Sequence, residues 1–394
     1  KIKSFICIST IKIFFSQKMK YFFYLFFICS FATPILVVAQ TENTIKENPW
    51  LTTCKLYYAQ GNYPLALNAI TQFLKPDPLN WEGLYWRGKI ESRMLNFNDA
   101  FDDLNLANKL YPKQAKTMAA LAELYDYFGD YEKAFNLITA ALIVEPTNLS
   151  FLNIEGLVLL HQKKFNAAFL IFDNIILRDS TDPIAFNNRG TARFNNQSVQ
   201  YPSKEDLKNA EHDFSKAIEL SPTFAMAYRN RGVVRLGLND YNNAYQDLII
   251  ARRLDPKDEK VYYNLGKIYN KLGKNELAIE AFNNAIKIST IFCEPYLERG
   301  LTHLSMGNYE SGRSDFRKSI AVDKNSKGRA NYYIAKSYAL EKNKVLCIEY
   351  LKNAKKTGFF VNFDNRNELI KDTSFNELLK DEDFRKARNE IIKI

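Results

Sequence analysis

One spacing constrains this chain more than any other property: a pattern of small and apolar residues that returns every 34 positions. The stretch from Asn239 to Pro256 sets the pattern, with Ala244 and Ala251 at helical spacing, apolar residues between them and a closing Pro256. Gly61-Asn-Tyr running to Pro78, Gly129-Asp-Tyr running to Pro146 and Gly273-Lys-Asn running to Thr290 follow the same plan. Units begin at Glu47, Trp81, Ala115, Leu149, Pro183, Ala225, Glu259 and Cys293, and a more worn ninth begins near Gly328. A fixed period of this length decides architecture before any motif is read, because each unit must bury its apolar face on the next.

Position eight of the unit is small: Gly88, Ala122, Gly156, Gly190, Gly232, Gly266 and Gly300. Position 20 is Ala66, Ala100, Ala134, Ala168, Ala210, Ala244 and Ala278, then Gly312. Small residues at these two places let two antiparallel helices approach closely, while positions four, 11 and 24 (Tyr262, Tyr269 and Phe282 in one unit) fill the space around them. Pro78, Pro112, Pro146, Pro222 and Pro256 stop the second helix and turn the chain into the next unit. In period and landmark positions the chain resembles the tetratricopeptide-repeat family over roughly residues 47–356. The resemblance implies an all-α, right-handed superhelical solenoid of about nine helix–turn–helix repeats. The units run 47–80, 81–114, 115–148, 149–182, 183–224 with an insertion, 225–258, 259–292, 293–327 and 328–356. Residues 357–394 lose the phase and read as capping helices, with Ser374 and Asp381 as N-cap candidates.

The N-terminus reads differently. Residues 19–39 have a short basic start, an apolar run and the small-residue ending Val37-Val38-Ala39, the pattern of a signal peptide cut before Gln40. The rival reading is a retained membrane anchor. Cys29 follows Ile28 and gives no lipoprotein site. The first Met is Met19, so residues 1–18 are expected to be a non-native upstream extension, and 40–46 a polar linker. The segment 1–39 holds Lys1, Lys3, Lys12, Lys18 and Lys20 and no acid, so the formal net charge of +10 falls by these five to +5 once it is removed. That weak excess gives no reason to expect a nucleic-acid partner. Cys54, Cys293 and Cys347 remain, an odd and dispersed set that fits neither a disulfide framework nor a zinc site and suits small buried apolar residues.

Two departures from the repeat stand out. Eight extra residues fall around 195–206 in the fifth unit, a surface loop by default. Position seven is Arg in four units (Arg87, Arg189, Arg231, Arg299), and position 23 is Asp in the same four (Asp103, Asp213, Asp247, Asp315). The other five units have neither residue there. Each Arg is expected to pair with the Asp of its own unit across the two helices, a structural bond rather than a binding site.

His161, His212 and His303 sit in three different units, and no nucleophile elbow, phosphate loop or dinucleotide fingerprint is present. The reading is non-enzymatic, with no cofactor and no metal. In the resembled family, first-helix positions two, five, nine and 12 line the concave binding face. Carried onto this chain they give Lys55, Tyr58, Tyr85 and Lys89 early, then Asn153, Leu157, Leu160, Asn187, Thr191 and Phe194 in the middle. The late units give Arg229, Lys260, Tyr263, Lys267, Asn270, Tyr332 and Lys336. Tyr with Lys or Arg suits an extended peptide carrying acidic groups. The chaperone-binding members' carboxylate clamp is incomplete: Lys260 and Asn264 fit it, but the neighbouring units do not. The expectation is an exported scaffold, periplasmic or outer-membrane-associated in a Gram-negative bacterium. It would bind an unknown protein or peptide, with no integral membrane segment after cleavage. A membrane-tethered assembly factor and a glycan- or polyanion-binding array are the alternatives.

Overall fold

The structure is a computed structural model that describes residues 48–196 and 203–393. The segments read as extension, signal peptide and linker lie outside these residues, as do residues 197–202 of the insertion. Every regular element among the described residues is helical. The chain divides into two compact units, the first ending at Pro78 and the second beginning at Leu79.

In the first unit, α1 (Pro49–Ala59) packs on α2 (Tyr63–Leu74). Asn48 and Asn62 cap the two helices by accepting the backbone N–H of Trp50 and Leu65. Leu51, Cys54, Ala66, Ala69 and Ile70 are buried.

The second unit repeats such pairs: α3 (Trp81–Arg93) with α4 (Phe97–Leu110), α5 (Ala115–Tyr127) with α6 (Tyr131–Val144), and α7 (Leu149–His161) with α8 (Phe165–Arg178). There follow α9 (Pro183–Asn195) with α10 (Lys204–Leu220), α11 (Ala225–Gly237) with α12 (Tyr241–Leu254), and α13 (Glu259–Lys271) with α14 (Asn275–Ile288). The last pairs are α15 (Glu294–Ser305) with α16 (Tyr309–Val322) and α17 (Lys327–Leu340) with α18 (Lys344–Lys356). Each second helix packs on its own first helix and on the next one, and successive first helices touch side by side, which makes an α-solenoid.

Packing density explains the small residues. Every Ala at position 20 in this unit, from Ala100 to Ala278, is fully buried. A Cβ added to Gly312 would lie 2.9 Å from the carbonyl oxygen of Gly300, so position 20 meets the backbone of position eight. The glycine at position eight is also roofed by position 24. A Cβ on Gly156 would stand 2.5 Å from the Phe172 ring, and one on Gly88 would stand 2.7 Å from Leu104 Cγ. A larger residue would force these neighbours out of a close-packed core.

The turn inside the repeats without an insertion is one device. Position 15 is left-handed whether it is glycine (Gly129, φ 82°; Gly273, φ 70°) or not (Leu95, φ 65°; Lys163, φ 60°; Asn239, φ 63°; Lys342, φ 60°). The next N–H then reaches back five residues to a first-helix carbonyl, as Asp240 does to Arg235 at 2.9 Å and Lys164 to Leu159 at 2.8 Å. This satisfies a helix-terminal acceptor and reverses the chain in two residues. After the insertion, Ser203 and Asp206 form a reciprocal capping box that restarts the helix as α10.

Beyond α18 the repeat gives way to short 3₁₀ turns at Phe359–Val361, Thr373–Phe375 and Leu378–Lys380, with α19 (Phe363–Lys371) and α20 (Glu382–Ile392). The turn at Thr373–Phe375 packs on α17, and α20 packs on α18. Asp381 caps α20 by accepting the Phe384 N–H at 3.0 Å. Ser374 is not a cap: it lies inside its turn, and Asp372 accepts the Ser374 N–H at 2.9 Å instead. Leu351, Leu369, Phe375, Phe384 and Tyr332 share one closed core there.

Candidate functional site

The four Arg–Asp pairs form the frame of the candidate face. Arg87 Nε and Nη2 both donate to Asp103 at 2.6 Å. Arg189 holds Asp213 at 3.1 and 2.6 Å, Arg231 holds Asp247 at 2.9 and 2.7 Å, and Arg299 holds Asp315 at 2.8 and 2.6 Å. Asp213, Asp247 and Asp315 are nearly fully buried, so each fork lies in a low-dielectric setting where bidentate geometry counts most. The third guanidinium nitrogen crosses to position 25 of the preceding repeat: Arg189 to Asp173 at 2.7 Å, Arg231 to Ser215 at 3.2 Å, and Arg299 to Asn283. These three arginines therefore clip two repeats together. The spacing of Arg and Asp points to the first contact. Nothing in the sequence marks the second, since position 25 varies among Asp, Ser and Asn.

The residues read as a binding face divide by environment. In the first unit Lys55 and Tyr58 are half-exposed on α1, and the Tyr58 ring meets Tyr63 edge-on at 5.6 Å. On α3, Tyr85 is mostly buried and forms part of the floor of a hollow of about 330 Å³, with Lys89 lying over the Tyr85 and Trp86 rings and Glu123 opposite. Burial, only partly offset by Lys89 and Arg93, pushes the Glu123 carboxyl up.

Asn187 does not face the groove. It is 1% exposed and belongs to a ladder across three repeats: Asn188 donates to Asn153 at 3.1 Å, Asn187 donates to Asn188 at 3.1 Å, and Asn230 donates to Asn187 at 2.9 Å. Buried amides satisfy one another before they serve a ligand. The adjacent Asn187-Asn188 and the Asn at position six of the next unit are the signal that sequence reading passed over. Arg229 is engaged as well, donating to Asp258, the residue that caps α13. Asn270 donates to Thr302 Oγ1 at 2.8 Å.

Tyr332 is a further correction. It is completely buried, its hydroxyl donates to Asp372 at 2.9 Å, and the rings of Phe359, Phe360 and Phe375 surround it. Lys336 reaches the same Asp372 oxygen at 2.9 Å. Burial works against the Asp372 charge, but Ser374 and Lys336 outweigh it and hold the carboxyl below its usual range. The terminal segment folds over this end of the face, and its lack of repeat phase hides that from sequence.

Lys260, Tyr263 and Lys267 remain on a cleft of about 450 Å³ lined from α9, α10, α11, α13 and α15. Phe194, Phe214, Val233 and Phe292 supply its apolar walls. Tyr263 packs edge-on against Phe292 at 5.2 Å, and Lys267 Nζ lies 5.4 Å from the Tyr263 ring centre. Burial raises the Tyr263 hydroxyl well above its usual range, with Glu298 and Glu294 adding to it, so it acts as a neutral donor.

The histidines are dispersed: His161 pairs with Asp126 at 2.8 Å, His212 is exposed and His303 is partly buried behind Asp315. Burial pushes the Cys54 thiol up to about 11 and those of Cys293 and Cys347 up to about 12, which makes them poor nucleophiles. Among the described residues no group of three or more His, Cys, Asp or Glu is placed to hold a metal ion, and no helix is long and apolar enough to cross a membrane.

Paired helices with small residues at the crossing and a ligand-sized face on the first helices define a helical-repeat protein. Models of the tetratricopeptide repeat match residues 53–113, 119–183, 259–289 and 294–326, so the repeats in these stretches are tetratricopeptide repeats. The chain is 24% identical over 294 residues to the "DnaJ homolog subfamily C member 7 homolog" of Dictyostelium discoideum, covering 68% of this chain and 53% of that protein. It is 24% identical over 274 residues to "Tetratricopeptide repeat protein 6" of Homo sapiens, covering 68% and 52%. The chain thus spans about half the length of these curated relatives. Among solved structures, the Cut9–Hcn1 hetero-tetramer of APC/C superposes with a TM-score of 0.53 at 14% identity, over 86% of this chain and 75% of that one, a likeness of fold.

Proposed function

We propose that this chain is a non-enzymatic protein–protein interaction scaffold, exported to the cell envelope, that holds an extended segment of a partner protein on its first-helix face. The observation that carries the reading is the cleft of about 450 Å³ in the second unit, with phenylalanine walls and Lys260 and Lys267 at its edge. An apolar hollow with a few placed donors matches a side chain presented by a peptide. The export element rests on the signal-type pattern of residues 19–39. A photo-crosslinking amino acid at Val233, in the cleft, is expected to capture a discrete partner in native cells, whereas the same probe at exposed Leu177 on α8 is not. Equal capture at both positions, or none at Val233, would remove the reading.

A further inference from the structure

A Tyr at position five and a Lys at position nine recur in the same i, i+4 register on α13 (Tyr263, Lys267) and on α17 (Tyr332, Lys336). On α17 the pair grips a carboxylate of the chain itself. Tyr332 Oη and Lys336 Nζ both donate to Asp372 Oδ2 at 2.9 Å, while Asp372 Oδ1 accepts the Ser374 N–H at 2.9 Å. Three residues on, Phe375 is fully buried, with its ring 6.1 Å from that of Tyr332. The molecule thus displays how a Tyr–Lys pair takes an Asp-x-x-Phe segment.

On α13 the same pair borders the cleft. Among the described residues the Tyr263 hydroxyl has no hydrogen-bond partner and Lys267 no ion-pair partner, and the lysine lies over its tyrosine ring. Phe292 stands beside Tyr263 as Phe359 stands beside Tyr332. The charged groups facing this place are Lys260, Lys267, Lys271, Arg329 and Arg229, the last paired with Asp258, against Glu294 and Glu298, a balance that favours an added carboxylate.

We propose that the cleft at α13 takes an acidic peptide segment of a partner protein by the code that the chain applies to its own terminus. An Asp carboxylate accepts from Tyr263 and Lys267, and an aromatic side chain three residues on packs against Tyr263 and Phe292. The proposal rests on the scaffold reading above and adds the chemistry of recognition to it.

The test is fluorescence anisotropy of a labelled, end-blocked peptide of residues 370–378 titrated with the full chain. Saturable binding is expected. It should weaken about tenfold for Lys267→Ala, the size of one charge-assisted hydrogen bond, and severalfold for Tyr263→Phe. Peptides carrying Asp372→Asn or Phe375→Ala should likewise bind about tenfold more weakly. Circular dichroism of the Lys267 and Tyr263 variants should match the parent, so a binding loss is not a folding loss. Affinity that ignores Lys267→Ala and Tyr263→Phe, equal binding of the Asp372→Asn peptide, equal competition by polyphosphate, or no saturable binding would each overturn the proposal. A partner captured at Val233 whose yield Lys267→Ala leaves unchanged overturns this code while the scaffold reading stands. Absence of capture at Val233 removes the scaffold reading itself.

Discussion

The Tyr–Lys pair on α17 and the pair on α13 stand two repeats apart on the same face, yet residues 359–380 cover the first and the second borders an open cleft. Position in the repeat is identical, so the difference comes from what lies next along the chain. A repeat in the middle of a stack gives its end faces to its neighbours and keeps its first-helix face exposed. The last repeat has no following neighbour, and the segment that closes its apolar end also crosses that face. A register position in a repeat protein is therefore a site only where the array continues beyond it.

The largest way to break this comparison is to unseat the closed end. Phe375→Ala should cost about 3–5 kcal/mol locally, since it empties a fully buried aromatic position. Hydrogen exchange should show the loss in α17, α18 and α20 with α13 protected as before, and equal loss in α13 would mean that the two regions are not separate. Next comes the frame of the open region. Asp247→Ala strands Arg231 and Arg235, both of which donate to it, and should cost about 3 kcal/mol in urea unfolding. The double change Arg231→Met with Asp247→Leu should cost less than Asp247→Ala alone, because Arg231 no longer stands without its carboxylate and Arg235 keeps Glu211.

A smaller effect is expected at Asp372. Asp372→Asn should cost about 1–2 kcal/mol at neutral pH. The folded carboxyl titrates below its ordinary 3.8, so its share of stability is present above the unfolded value and lost as pH falls through the lower folded one. Thermal melts of the Asn variant should lack that acid limb, and an unchanged acid limb would exclude Asp372 as its source. The smallest effect separates the two lysines. Lys336→Ala should lower stability by about 1 kcal/mol, and Lys267→Ala should stay within about 0.5 kcal/mol, since only Lys336 holds a buried carboxylate.

Much of the fold is legible in the sequence because the packing rule is written many times over. Gly88, Gly156, Gly266 and Gly300 each sit under the position-24 side chain of their own repeat, so one constraint recurs at a fixed spacing. The Arg–Asp spacing shows itself in the same way, since Arg87, Arg231 and Arg299 lie 16 residues from Asp103, Asp247 and Asp315 in the folded contact and in the chain alike. Other features escape because they are singular. The left-handed turn is plain at Gly129 but masked at Leu95 and Lys163, exposed residues that pay a conformational penalty while the next N–H bonds back to the first helix, Asn96 to Glu91 at 2.9 Å and Lys164 to Leu159 at 2.8 Å. The Asn153–Asn188–Asn187–Asn230 ladder runs between repeats and carries no within-repeat spacing. Tyr332 reads as a face residue until Asp372 is placed over it, and nothing periodic places Asp372.

The arginines that reach across to position 25 have a mechanical consequence. At the seams around Arg189, Arg231 and Arg299, guanidinium bonds with fixed directions tie adjacent repeats. The seam between α12 and α13 has Leu265 where the arginine would be and Ile249 where its acceptor would be, and apolar contact among Leu248, Ala251, Val261 and Leu265 seals it together with the Arg229–Asp258 ion pair. Apolar contact is non-directional and allows sliding, whereas a forked ion pair holds one geometry. At this seam the Arg229–Asp258 pair therefore sets the direction beside the α13 cleft. Under tension, Asp258→Ala should let this seam yield at a lower force than its clipped neighbours, a difference that single-molecule stretching would register as an earlier rupture there.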